Sequence, residues 1–84
     1  MTEEGLERLN KGISQTIKDF RQHAGLSQKD LGTLVGINQS MVSRLEKADC
    51  ISFSLSTLYQ IFNKMNYDIE IRFIEKEHKA VDGV

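Results

Sequence analysis

The run QKDLGTLVGINQSMVSRL, residues 28–45, decides how the rest of the chain is read. Leu31 and Val35 are four apart and Val42 and Leu45 three apart, so each apolar pair lies along one face of a helix. Gly36 stands between the two pairs, where the first helix must stop and the chain must turn sharply. Glycine adopts the left-handed conformation there without a Cβ clash. The spacing predicts one helix over about 28–35 and another over about 39–47. Ser27 precedes the first as N-cap, with Asp30 as its capping-box partner, and Asn38 caps the second. Gly32 falls where the two helix backbones approach most closely, a place that offsets the roughly 1 kcal/mol glycine costs inside a helix.

Two short helices crossing steeply through a glycine-containing turn make a helix-turn-helix unit, whose second helix enters the major groove of DNA. The segment resembles the phage-repressor (Cro-like, XRE) class of such domains. The matching residues are Arg21, Gly25-Leu26-Ser27-Gln28, Leu31, Gly36, Val42-Ser43 and Glu46, at fixed offsets without a gap. It departs from the class at Gly32, where alanine is commoner, and at Ala48, where a glycine usually follows the last motif helix.

Outward from this run, the chain has 84 residues, enough for one domain near the lower limit of what a single apolar core stabilises alone. A partner subunit is a common remedy at this size. No run of about 18 apolar residues suits a membrane span, and no secretory signal pattern opens the chain. The single cysteine, Cys50, is a free thiol of the kind that fits a reducing cytoplasm. Net charge is −1, which by itself does not mark a nucleic-acid binder. Its distribution is more informative. Residues 8–47 carry seven Lys or Arg against Asp19, Asp30 and Glu46, a local +4, while both flanks are acidic.

Residues 1–11 read as a flexible, frayed lead-in interrupted at Gly5, with a partly helical course through Leu6 and Leu9 as the alternative. From 12 to 24, Ile13, Ile17 and Phe20 form one helical stripe that Gly25 ends. Residues 48–53 read as a linker. Ser54 caps a fourth helix over about 55–65, with Leu55, Leu58, Ile61, Phe62 and Met65 as its apolar face. The helix-turn-helix domain is thus expected over 12–66. The period then changes to two: Tyr67, Ile69, Ile71 and Phe73 alternate with Asp68, Glu70 and Arg72, the pattern of a half-buried strand over 67–75. The charged, then glycine-containing tail 76–84 reads as disordered.

A lone strand leaves its backbone donors and acceptors without partners inside the chain. Pairing with the same strand of a second copy removes that problem. A repressor-like domain followed by one C-terminal strand also resembles the HipB-type antitoxins, which dimerise through such a strand and bind a kinase-like toxin. The expected fold class is therefore mainly α: a four-to-five-helix repressor-like domain plus one β-strand that pairs across a homodimer. Its dimer residues are Tyr67, Ile69, Glu70, Ile71, Arg72 and Phe73.

The resemblance places Gln39, Ser40 and Arg44 among base-facing positions of the third helix, with Ser43 beside them. Glutamine suits adenine, arginine suits guanine, and serine accepts either role in a hydrogen bond. Met41 flanks this face, with a thymine methyl, the DNA backbone or the helix junction as its alternatives. Gln28, Lys29, Lys18 and Lys47 are the candidates for phosphate contact, which supplies affinity and register without reading sequence. Arg21 and Glu46 occupy the places of a structural ion pair in the repressor class, linking the first helix to the third.

These features point to a cytoplasmic, sequence-specific repressor that binds a palindromic double-stranded operator. An antitoxin that represses its own toxin-antitoxin operon is favoured over a free-standing phage-type regulator. The rival from another class is an interaction module that neutralises a partner and binds little DNA. No cofactor, metal ligand set or catalytic arrangement is present: His23 and His78 are isolated, and no glycine-rich phosphate loop occurs. An enzyme is not expected.

Overall fold

In the computed structural model, residues 3–50 and 52–76 are described. They form four helices: α1 (Glu3–His23), α2 (Gln28–Val35), α3 (Gln39–Glu46) and α4 (Leu55–Lys64). The most extensive packing is of α2 on α3, of α1 on α3, and of α2 on α4. Ile17, Leu31, Val35, Val42, Leu45, Cys50, Leu58, Ile61, Phe62 and Met65 make the core. Ile13, Phe20, Leu26, Ile37, Phe53 and Ile69 pack around it. Each helix contributes the face its apolar spacing marks out, except that Leu55, counted with the apolar face of α4, sits in its first turn 59% exposed.

The helix starts follow their side-chain caps. Ser27 Oγ accepts from the Asp30 amide at 3.0 Å while Asp30 Oδ2 accepts from the Ser27 amide at 3.3 Å, a complete capping box. Asn38 Oδ1 accepts from the Met41 amide at 2.8 Å, and Ser54 Oγ from the Thr57 amide at 3.1 Å. Gly36 closes α2 at φ +84°, as its place between the two apolar pairs requires.

Three features depart from the sequence reading. First, α1 does not begin near residue 12. It is continuous from Glu3, taking in most of the stretch read as a flexible lead-in. Leu6, half-buried, continues the helical spacing of Ile13, Ile17 and Phe20 toward the N-terminus, Leu9 at the same spacing is 53% exposed, and Glu4 lies in the first turn, where the helix dipole favours an anion. These gains outweigh the propensity cost of Gly5 and Gly12.

Second, α3 ends in a Schellman turn built on alanine. The Ala48 amide donates to Leu45 O at 3.3 Å and the Asp49 amide to Arg44 O at 3.0 Å, with Ala48 at φ +63°. An L-residue with a Cβ bears a cost of about 1–2 kcal/mol in that conformation. Ala48→Gly is therefore expected to stabilise the domain by about 1 kcal/mol, raising the melting temperature by roughly 4–8 °C. A thermal melt that moves down, or not at all, would show that the turn is relaxed around the methyl group.

Third, residues 67–76 carry no β-ladder in this single chain, so the strand over Tyr67, Ile69, Glu70, Ile71, Arg72 and Phe73 is not formed here. A ladder needs a second strand, and none is present among the described residues. Asn66, at φ +68°, turns the chain back after α4, and the Tyr67 amide donates to Phe62 O at 2.8 Å. The Tyr67 ring then meets Phe20 and Phe62 edge-on, with centroids 6.2 and 5.9 Å away. Ile69 still rests on the core, but Ile71 is half exposed, and Phe73 and Ile74 are almost entirely so. Of the tail 76–84, only Lys76 belongs to the described residues; 77–84 lie outside them.

Gly32 has a specific packing reason. A Cβ there would sit 2.5 Å from the carbonyl oxygen of Ile37 and 3.4 Å from the carbonyl carbon of Asn38. The crowding neighbour is thus the turn leading into α3. These are backbone atoms of the turn itself, so they cannot swing aside. Gly32→Ala should lower stability by about 1–3 kcal/mol in urea denaturation, despite a helix-propensity gain of about 1 kcal/mol. An unchanged or higher midpoint would mean that the turn shifts freely.

Candidate nucleic-acid interface

The α2–turn–α3 arrangement fixes which side of α3 meets solvent. Val42 and Leu45 are fully buried, so the opposite face carries the polar residues. Gln39 and Ser40 are exposed in the first turn, Arg44 is exposed one turn later, and Ser43 and Met41 are half-buried at the flanks. Gln39 and Ser43, and likewise Ser40 and Arg44, are four residues apart and share a side of the helix. The turn thus brings together the four side chains assigned to base reading. Lys18, Lys29 and Lys47 are exposed on α1, on α2 and at the end of α3.

Behind this face lies a polar knot joining three helices. Glu46 Oε2 accepts from Arg21 Nε at 2.6 Å, and Oε1 accepts from Arg21 Nη2 at 3.1 Å. The side chains are 17% and 5% exposed for Arg21 and Glu46, so the bidentate pair is largely shielded from water. Arg21 Nη1 also donates to Leu26 O at 2.9 Å, past the end of α1. The hydrogen bonds to Glu46 push the guanidinium pKa above its ordinary value; burial opposes this, and the charge of Glu46 adds to it. Ser14 is buried and donates to Glu46 O at 2.8 Å.

Gln28 belongs to this knot as well. Its Nε2 donates to Glu46 Oε1 at 3.2 Å, so one hydrogen of the amide assigned to phosphate contact is already engaged inside the domain. Lys29 remains the exposed cation of that helix turn.

Arg44 has neighbours that the sequence reading did not assign to the site. Its Nε donates to Asp49 Oδ2 at 3.1 Å and its Nη2 to Ser52 Oγ at 2.5 Å, and its guanidinium carbon lies 5.3 Å from the Phe53 ring centroid. The αL turn at Ala48 carries Asp49 back toward Arg44, and no simple spacing in the sequence signals it.

Cys50 is 2% exposed, with its thiol directed at Leu45 O (3.6 Å) and Asn10 O (3.8 Å). Burial, with the charge of Asp49 adding, pushes its pKa up and keeps it a thiol. Among the described residues there is no cluster of His, Cys, Asp and Glu able to hold a metal ion. No described helix is long and apolar enough to cross a membrane.

Searches of curated proteins and of solved structures returned no match. A family model described as a helix-turn-helix domain matches residues 3–74, which covers all four helices and most of the extended segment after them. The chain belongs to this helix-turn-helix domain family.

Proposed function

We propose that the chain is a sequence-specific DNA-binding repressor that acts as a homodimer in the cytoplasm on a palindromic operator. The observation that carries this reading is the polar face of α3. Gln39, Ser40, Ser43 and Arg44 lie opposite the buried Val42 and Leu45, on a helix whose orientation is fixed by the Gly36 turn and the Arg21–Glu46 pair. Such a helix fits the major groove, where these side-chain types discriminate bases. Lys29, Lys18 and Lys47 then serve the phosphates, with Met41 at the edge of the contact. The reading includes no catalytic role.

The finer role we assign is that of an antitoxin of the HipA/HipB kind, which represses its own operon and binds a kinase-like toxin. It rests on the repressor-like domain followed by an extended segment with apolar side chains turned to solvent. A kinase-like reading frame beside the gene, whose product copurifies with this chain, supports that role. An isolated gene removes it.

Gel-shift titration against the DNA upstream of the gene, at several salt concentrations, tests the reading. Specific binding with a steep loss of affinity at high salt is expected. Gln39→Ala should cost about 1–3 kcal/mol and relax the preference at one operator position. Lys29→Ala should weaken all sequences alike and flatten the salt slope by about one unit. Failure to bind that DNA would favour the second reading, an interaction module that neutralises a partner. The observation favouring that alternative is the apolar groove between α4 and the extended segment, lined by Leu55, Tyr59, Ile69 and Ile71.

A further inference from the structure

We infer that Asp49, Ser52 and Phe53 form a clamp that positions Arg44 to recognise one guanine in each half-site. The inference rests on the proposed reading of Arg44 as a base-facing residue and adds the residues that set its aim.

Two hydrogens of the Arg44 guanidinium are already used. Asp49 Oδ2 takes the Nε hydrogen at 3.1 Å and Ser52 Oγ takes one Nη2 hydrogen at 2.5 Å. Nε–H and the nearer Nη2–H share one edge of the planar group, so both contacts fall on that edge. The Nη1 and remaining Nη2 hydrogens form the other donor edge, and no described residue accepts from Nη1. Two parallel N–H donors at that separation match O6 and N7 of guanine. The Phe53 ring lies 5.3 Å from the guanidinium carbon and itself packs against the core, which ties the cation to the domain body.

A free arginine samples many rotamers and must lose that freedom on binding. The clamp removes much of this cost in advance, and it directs the donor pair along one line. As an energy source for folding, the Arg44–Asp49 pair contributes little, because both side chains are about half exposed (48% each). Its consequence is directional. The turn that delivers Asp49 is the Schellman turn at Ala48, so the end of α3 builds the clamp for a residue of the same helix.

The test is selection from a randomised pool of duplex DNA by the full chain and its variants, reading base preference position by position. The unmodified chain should enrich a site with one guanine per half-site whose preference Arg44→Ala abolishes. Asp49→Ala should reduce the preference for that same guanine roughly two- to tenfold, out of the five- to hundredfold that a bidentate contact gives, and leave other positions unchanged. Ser52→Ala should act at the same position, less strongly. Asp49→Asn, which keeps an acceptor at the same reach, should retain most of the preference. A merely structural role would not confine the effect to one base. If Arg44→Ala removes the preference but Asp49→Ala and Ser52→Ala do not, the clamp is wrong and the base-reading assignment stands. An Asp49→Ala variant that prefers guanine more strongly also overturns the clamp, since Asp49 would then compete with DNA for Arg44. If Arg44→Ala changes no position, the base-reading role of Arg44 fails and the inference fails with it.

Discussion

Glu46→Ala is expected to lower the stability of the domain by about 3–5 kcal/mol, a fall in melting temperature of roughly 12 °C or more. The loss comes from what remains rather than from what is removed. Arg21 keeps its charge in a place that is 17% exposed, and its Nε and Nη2 lose their acceptors together. Gln28 Nε2 loses its acceptor at the same time. An uncompensated cation of this kind costs far more than the pair contributed while intact. The size of the effect follows from that asymmetry, so a double variant distinguishes it from simple loss of packing. Arg21→Met combined with Glu46→Leu removes both charges and should recover much of the stability. Urea denaturation of the two variants decides the matter. A shift below about 1 kcal/mol for Glu46→Ala would place the pair among ordinary surface contacts.

The second large effect is expected at Ile71, on the proposal that two copies pair through residues 67–75. In an antiparallel homodimer the numbers of facing residues sum to a constant, and side chains that share a face require an even sum. Centring on Glu70 or Arg72 sets a charge against its own copy, and centring on Ile69 sets Asp68 against Glu70. Each opposes like charges, which is destabilising. Centring on Ile71 sets Ile71 against itself, Ile69 against Phe73, and Glu70 against Arg72 twice by symmetry.

The single chain is compatible with that register. Glu70 and Arg72 already approach each other at 3.5 Å on one side, both largely exposed. Phe73 is 94% exposed and Ile71 52%, apolar area that a second copy would cover. Ile71→Lys should leave a monomer at high micromolar concentration and weaken operator binding roughly a hundredfold or more, because each monomer then holds one half-site without its partner. Cysteine placed at position 71 in a Cys50→Ala background should bridge efficiently. Bridging centred on another residue, or an unmodified chain that is monomeric, would reject the register.

The starts of α2, α3 and α4 and the α2–α3 turn were legible because they are set by chemistry within three or four residues. Ser27 with Asp30, Asn38, Ser54 and Gly36 each act on backbone groups close in sequence. The polar face of α3 was legible for a related reason, since Val42 and Leu45 fix which side is buried. The start of α1 was not. Local propensity at Gly5 and Gly12 argues for fraying, and only weak signals, the spacing of Leu6 and Leu9 and an acidic first turn, argue against it. Ala48 hid the Schellman turn, because alanine gives no local sign of a positive φ. Hidden with it were the contacts of Arg44, since Asp49 reaches that guanidinium only after the chain has reversed. The inward engagement of Gln28 depends on Glu46, eighteen positions away, and no periodicity reports such a contact.

The buried thiol of Cys50 makes the joint between α1 and the end of α3 a natural clock. Its reach toward Asn10 O and Leu45 O spans those two elements, and its raised pKa keeps the thiolate scarce at neutral pH. An alkylating reagent can therefore attack only while the joint is open, and the modification rate measures how often that happens. When opening and closing are fast, the rate reports the fraction of time spent open; when closing is slow, it reports the frequency of opening itself. Measured with and without bound DNA, the same trace would register how far engagement of α3 is transmitted to the Asn10 region of α1, with no label added to the chain.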